Sequence, residues 1–366
     1  MSSATSTSRP RLPITLGWKA GTEQYPPNEL LDYAILADQV GFDSLDVSDH
    51  FNPWSEDGQA AFSWTWLGAV AARTQRIRLG TGVTCPILRY HPSVIAQAAA
   101  TLAVMSSDRA YLALGTGEAL NEYAAMGEWP EYNERQDRMA EAIELIRLLW
   151  TGDEITFEGM YYATRKARLY TRPETSPPLY VSSLVPESAA FAGTYGDGLW
   201  TVGGQPPELY QQMFAQFEQS AREAGKDPAT MPRSIELNVA YTDDADGAIR
   251  DMQTYWAGTF IPALFDQKIY TPALSAKNGA VVGPDTIKKQ MVISTNPDEH
   301  VAFAQKYLDM GFTDLYFHTA GPDQRAFLEG YGREVLPRLR QRGQQRQQKS
   351  AQQRAGADSQ REATPV

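Results

Sequence analysis

The chain has 366 residues, 42% of them hydrophobic, with a formal net charge of -11. That is enough apolar material for a large core, while the diffuse acidity argues against nucleic-acid binding and against a polybasic membrane anchor. No apolar run approaches the ~20 residues that cross a bilayer, and the lone cysteine, Cys85, excludes an intramolecular disulfide, as fits a reducing cytoplasm.

Residues 1–13 are rich in Ser and Thr, carry a short basic patch and lack an apolar h-region, so they read as a disordered leader rather than a signal peptide. From there short apolar runs alternate with longer stretches of helical period. The run 14–20 (ITLGWKA) precedes a helix over 28–40, and 44–50 (SLDVSDH) precedes one over 62–74. The run 76–83 (RIRLGTGV) precedes 93–105, and 110–117 (AYLALGTG) precedes 133–149. Next, 178–183 (PLYVSS) leads to 187–195 and 197–201 (DGLWT) to 207–224. The run 234–242 (SIELNVAYT) is followed by a long mixed segment before the helix over 297–311. The last run, 314–321 (DLYFHTAG), leads to 324–338, and the Gln-, Arg-, Ala- and Ser-rich tail 341–366 reads as solvated and flexible.

Strand alternating with helix implies parallel strands joined by right-handed crossovers, and eight such units is the count of a TIM barrel. The alternative, an open doubly wound sheet, usually carries a Gly-rich phosphate turn after its first strand, which WKAGTEQ lacks. The expected class is α/β, a single TIM (β/α)8 barrel domain over 14–340. Insertions at about 150–178 (a hairpin excursion) and 243–296 are expected at its C-terminal face, where long connections often serve as lids or binding loops.

The active site of such a barrel lies at the C-terminal ends of the strands. The polar residues there are Glu23, Asp49, His50, Thr84, Cys85, Thr116, Glu118, Asn121, Thr201 and His318. His50, in SDHFNPW, can give or take a proton near neutral pH, and Phe51 and Trp54 suit a planar ligand; the alternative is a satisfied structural histidine. Glu118, in LGTGEALNE, follows a Gly-Thr-Gly turn that brings backbone close to a ligand; the alternative is helix capping, with Thr116 as the cap. The histidines His50, His91, His300 and His318 show no i, i+4 pairing, so no metal site is expected. Neither a G-x-S-x-G elbow nor a P-loop is present. An acid, a base, aromatics and glycine turns point to redox chemistry on an organic ring, without naming the ring.

The segments GWKAGTEQ, VSDHFNPW, LGTGVTCP, RYHPSVIAQA, LGTGEALNE and FHTAGPDQR resemble, in order from about Ile14 to Arg338, the coenzyme F420-dependent glucose-6-phosphate dehydrogenases of the luciferase-like superfamily. The resemblance implies that a carbinol or hemiacetal carbon gives hydride to C5 of the deazaflavin while its hydroxyl loses a proton. It implies His50 on the cofactor side, Glu118 as acid/base partner near the substrate hydroxyl, Trp54 as a pocket wall and Glu23 as a further active-site group. Which of His50 and Glu118 accepts the substrate proton stays open. For the cofactor it implies Asp49, Thr116, Gly117 and Asn121 around the ring and ribityl chain, and a non-prolyl cis peptide at Gly82–Val83 behind the ring. Cys85 stands there where better-known members have Thr. Leu184, Val185, Glu187 and Ser188 fall on the turn for the cofactor phosphate, where the family has Gly-Gly. The family also suggests a homodimer.

At the substrate end the sugar-phosphate enzymes of this group use a Thr, two Lys and one Arg. Thr201 matches the Thr and Lys268 one Lys, while the other Lys falls at Gly204 and the Arg at Gln290, with Lys288 and Lys289 close by in sequence. A phosphate dianion wants paired cations. The expectation is therefore an F420-dependent dehydrogenase for a small-molecule alcohol or sugar, not selective for phosphate. Glucose-6-phosphate oxidation is the alternative; an FMN-dependent luciferase-like monooxygenase or a non-catalytic binder stands behind it.

Overall fold

In a computed structural model that describes residues 14–261, 268–321 and 323–343, eight parallel strands close into a barrel. The first half of the chain supplies β1 (Thr15–Ala20), α1 (Pro27–Val40), β2 (Ser44–Val47), α2 (Ser63–Arg73), β3 (Arg78–Thr84), α3 (Pro92–Met105) and β4 (Ala110–Leu114). Helices α4 (Ala119–Met126) and α5 (Tyr132–Trp150) follow, then β5 (Ile155–Glu158) and β6 (Ala163–Ala167). Alternation resumes with β7 (Leu179–Ser182), α6 (Pro186–Tyr195), β8 (Gly198–Val202), α7 (Pro207–Glu223) and β9 (Arg233–Ala240). After α8 (Ala245–Tyr255), α9 (Pro272–Gly279), α10 (Pro284–Gln290) and β10 (Val292–Ile293) come α11 (Pro297–Met310), β11 (Asp314–His318) and α12 (Gln324–Gly330). The barrel order is β9-β11-β1-β2-β3-β4-β7-β8, and β8 pairs back onto β9 to close it. These eight strands are the eight apolar runs of the sequence.

The pleat sorts the side chains. Leu16, Trp18, Leu45, Leu79, Leu112, Leu199, Ile235 and Phe317 face outward into the core shared with the helices, each contributing roughly 1.5–3 kcal/mol by burial. Inside, Tyr111, Tyr180, Trp200 and Tyr316 fill the barrel. Glycines make the room: Gly17 faces the Tyr316 ring, Gly80 that of Tyr111 and Gly198 that of Tyr180. A methyl at Gly17 would enter the Tyr316 ring, and such overpacking costs about 1–3 kcal/mol. Arg78 lies over the Tyr111 ring and donates to the Tyr180 hydroxyl at 3.1 Å. Below the mouth the barrel is thus plugged, so a ligand can enter only from above.

Helix ends follow from local chemistry. Proline starts α1, α3, α6, α7 and α11, where its missing N–H is no loss. Asp244, Asn296 and Asp323 cap by accepting from the Gly247, Asp298 and Ala326 amides. Gly41 and Gly311 end α1 and α11 in the left-handed conformation.

Four expectations are corrected. β2 stops at Val47, so Ser48–His50 is loop. The short helix α4, directly after LGTGE, is additional to the predicted set. The 150–178 hairpin joins the end of α5 to the start of β7, so it is rooted at the N-terminal end of the barrel rather than the C-terminal face. Its turn folds back along α5, where the Glu141 carboxylate accepts from the Met160, Tyr161 and Tyr162 amides. Finally, helix continues through 336–343, and Gly343 is buried near Ile14, so helix extends into the expected tail. The expected leader 1–13, most of the tail and part of the second insertion (262–267) lie outside the described residues.

The second insertion does stand at the C-terminal face, because β10 pairs with the end of β9. It builds a second, smaller core from Ile249, Met252, Trp256, Phe260, Ile269 and Met291, into which Trp54 and Leu120 also pack. Tyr123 of α4 stacks on Tyr270 with ring centroids 3.9 Å apart.

Candidate active site

Glu23 lies three residues past β1, His50 three past β2, and Glu118 at the residue before α4. The barrel brings them together. His50 Nδ1 is 3.0 Å from Glu23 Oε1, and Nε2 is 3.9 Å from Glu118 Oε2. Glu118 makes no side-chain cap bond on α4, so its carboxylate is turned to His50 rather than spent on the helix. Trp54 meets the imidazole edge-on, with centroids 5.5 Å apart. Glu23 is fully buried, while the side chains of His50 and Glu118 keep 12% and 18% exposure, so only the latter two reach the mouth.

Electrostatics separates the three groups. Burial would raise the Glu23 carboxyl, but His50 and Lys19, with a hydrogen bond from Ser48, together outweigh it and hold the group down at about 2. Burial would lower His50, but the Glu23 and Glu118 carboxylates together outweigh it and keep the imidazole above its ordinary value. Glu118 is pushed above the usual carboxylate range by burial, opposed by His50.

Beneath this trio stands a charged layer that sequence reasoning missed. Lys19 of β1 reaches Asp46 of β2 at 3.0 Å, Glu236 of β9 at 3.2 Å and the Gly82 carbonyl of β3 at 2.6 Å. The available signal was a charged residue at an inward position of an otherwise apolar strand. On the far wall His318 Nδ1 lies 2.9 Å from Asn238 Oδ1, and its ring meets Trp256 edge-on.

The loop carrying His50 is stapled from both sides. Asn121 Oδ1 accepts from the Phe51 and Asn52 amides at 2.8 and 2.9 Å. Asp49 is buried, and its two oxygens accept from Thr84 and Tyr90 at 3.0 Å each. Arg89 donates to the Asp49 carbonyl at 2.5 Å and stands 3.7 Å from Glu122, whose carboxyl burial pushes up to about 7. Asp49 and Asn121, expected around the cofactor, are thus both engaged with protein donors. The Gly82–Val83 peptide is cis, and the β3–β4 register shifts between Thr81 and Thr84. Thr116 is half-buried beside Gly117, which has a φ of 79° and lies against Cys85. Burial raises the Cys85 thiol well above its ordinary value, as for an inert thiol.

At the α6 start Ser188 Oγ accepts from the Leu184 and Val185 amides at 3.2 and 3.3 Å, so two of the donors expected for a phosphate are engaged; Glu187 is exposed. On the substrate side the pleat corrects one assignment. Trp200 points into the barrel and Thr201 pairs with outward-facing Ile235, so Thr201 is turned to the helices, and it is 1% exposed. Half-buried Val202 takes the inward place. Gln290 does come to the rim, its side chain lying where a Cβ on Gly204 would be. Lys268, Lys288 and Lys289 are exposed.

Residues 12–314 match the luciferase-like monooxygenase family. An F420-dependent glucose-6-phosphate dehydrogenase of Microbacterium testaceum is 41% identical over 333 residues, covering 90% of this chain and 99% of that protein. One from Mycolicibacterium gilvum is 42% identical over 334 residues, with the same coverage. A solved F420-dependent secondary alcohol dehydrogenase, in complex with an F420-acetone adduct, is 38% identical with a TM-score of 0.86, over 89% of this chain and 99% of that one. The chain belongs to the luciferase-like family, in the group of the F420-dependent glucose-6-phosphate dehydrogenases.

Proposed function

We propose that this family member is an F420-dependent oxidoreductase that takes hydride from the hydroxyl carbon of an alcohol or sugar without selecting for a phosphate. The observation that carries the reading is the bracketing of His50 by two carboxylates of unlike exposure, Glu23 behind it and Glu118 at the mouth.

A planar deazaflavin suits the β3–β4 rim because backbone replaces side chains there. A Cβ on Gly82 would meet Asp46 and Trp200, one on Gly115 would meet Val83, and one on Gly117 would meet Cys85 and Glu122. Gly82, Val83, Thr116 and Gly117 would hold the ring, and the first turn of α6 the phosphate. Asp49 and Asn121 would act by bracing the rim. When bound, the deazaflavin supplies the hydride acceptor. The substrate O–H proton needs a base in reach. Glu23 raises His50 and so favours its charged form, which makes Glu118 the proposed acceptor. His50 then stabilises negative charge on the cofactor side, and Trp54 limits how the imidazole can turn.

The substrate side supports the choice of substrate class. Gln290 and Gly204 occupy the places of two cations in the sugar-phosphate enzymes, and neither can pair a dianion. A substrate panel assayed with purified F420, followed by loss of its absorbance, tests this. Secondary alcohols and unphosphorylated sugars should drive reduction; saturation by glucose-6-phosphate alone would overturn the substrate class. That second reading has the names of the Microbacterium and Mycolicibacterium relatives behind it. Purification with FMN and oxygen consumption would instead overturn the deazaflavin.

The enzyme is further read as one barrel domain over 14–340, acting in the cytoplasm as a homodimer. Among the described residues no helix is long and apolar enough to cross a membrane, and a lone thiol suits a reducing compartment. The homodimer rests on family resemblance, and sedimentation analysis decides it.

A further inference from the structure

We infer that Lys19 is a positioning residue for the active site, a buried ammonium that pins the Gly82 carbonyl and so fixes the rim against which the cofactor ring would lie. The inference rests on the deazaflavin reading above. Lys19 sits at an inward position of β1, opposite Asp46 in register, with its side chain 2% exposed. An ammonium has three protons and no acceptor. Two are donated to other strands, to Asp46 Oδ2 on β2 at 3.0 Å and Gly82 O on β3 at 2.6 Å, and Glu236 Oε2 on β9 lies 3.2 Å away as an ion pair. One side chain therefore ties together three strands directly below the mouth.

The Gly82 bond has the local consequence. Gly82 lies between Thr81 and Thr84, where the β3–β4 register shifts and the ladder with β4 is interrupted. There the Lys19 ammonium is a donor to the bulge carbonyl, in a buried setting where a charged donor is stronger than a neutral one. The loops after these strands carry two of the trio. Glu23 follows β1, which bears Lys19, and His50 follows β2, which bears Asp46, so two ion pairs of opposite sense are stacked. Lys19 favours the ionised forms of Glu23 and Glu118, and its other titratable neighbours are Asp46, Glu236, His50 and His318.

The test is direct F420 binding by fluorescence titration, with thermal melting in parallel. Lys19→Met should weaken F420 binding by about tenfold or more, the loss expected for one buried charge-assisted bond. Lys19→Arg should recover part of it. If Lys19→Met does not fold, the double variant K19M/D46N, which removes the fully buried carboxylate left unpaired, takes its place with the same expectation. A variant that melts lower but binds F420 like the wild type would overturn the inference, as would failure of both to fold, since Lys19 would then serve the fold alone. Wild-type protein that does not bind F420 would sink the deazaflavin reading itself.

Discussion

Across the barrel mouth the rim built by β1–β4 and the rim built by β8–β10 are made of different chemistry. The first is charged and over-determined: Glu23, His50 and Glu118 stand above Lys19 and Asp46, and Asn121, Asp49 and Arg89 brace the loop around them. The second is neutral only at its edge, where Val202, Gly204 and Gln290 stand, with the Glu236 carboxylate of β9 beside them and exposed lysines behind. A reaction centre needs fixed charges, because only preorganised groups lower a barrier without reorganising. A recognition surface can change its charges without touching the chemistry.

The largest effect that would break the contrast lies on the charged rim. His50→Ala and Glu118→Gln should each lower kcat by about 10²-fold or more, with F420 binding largely retained. Unchanged turnover in both would take His50 and Glu118 out of the chemistry. Glu23→Gln should be milder, about tenfold in kcat/KM, and should move the alkaline limb of the pH profile. The sign follows from linkage. His50 is raised by Glu23, so the stabilisation of its charged form is full below the ordinary imidazole value and is lost as pH rises through the raised one. Glu23 itself, held at about 2, contributes above the ordinary carboxylate range and loses that contribution as pH falls toward 2. Removing it should shift the alkaline limb to lower pH; a limb that does not move would mean that His50 is not kept charged by Glu23.

Smaller effects sharpen the neutral rim. Gln290→Arg should improve the apparent KM for glucose-6-phosphate by up to about tenfold, in a salt-sensitive way, and leave kcat on simple alcohols alone. No change would place Gln290 outside the substrate path. The smallest effect is structural. Asn121→Ala removes the acceptor of two backbone amides and should cost about 1–3 kcal/mol, read as a drop in melting temperature of a few degrees.

Much of this was legible in the chain, for definable reasons. Eight apolar runs between helical periods predict the barrel because parallel strands must bury both faces. The motifs around His50 and Glu118 mark strand tips, and a strand tip of a barrel is at its mouth. What the chain hides is anything decided by closure. Glu23 and His50 are remote in sequence, and their contact exists only because β1 and β2 are neighbours. Lys19 reads as a stray charge in an apolar strand until its three partners arrive from other strands. Thr201 fails by one residue, and with a period of two that sends the side chain to the opposite face.

Trp54 and Leu120 belong both to the segments that carry His50 and Glu118 and to the small core of the second insertion. That shared packing is a mechanical joint. A substrate bulky enough to push the insertion outward also tugs on the segment that aims the imidazole, so breadth of acceptance and speed of turnover are not independent traits. Transplanting the insertion alone from a relative should therefore carry over its preference at the expense of rate. The natural cassette for re-engineering is the insertion together with residues 50–54 and 118–121.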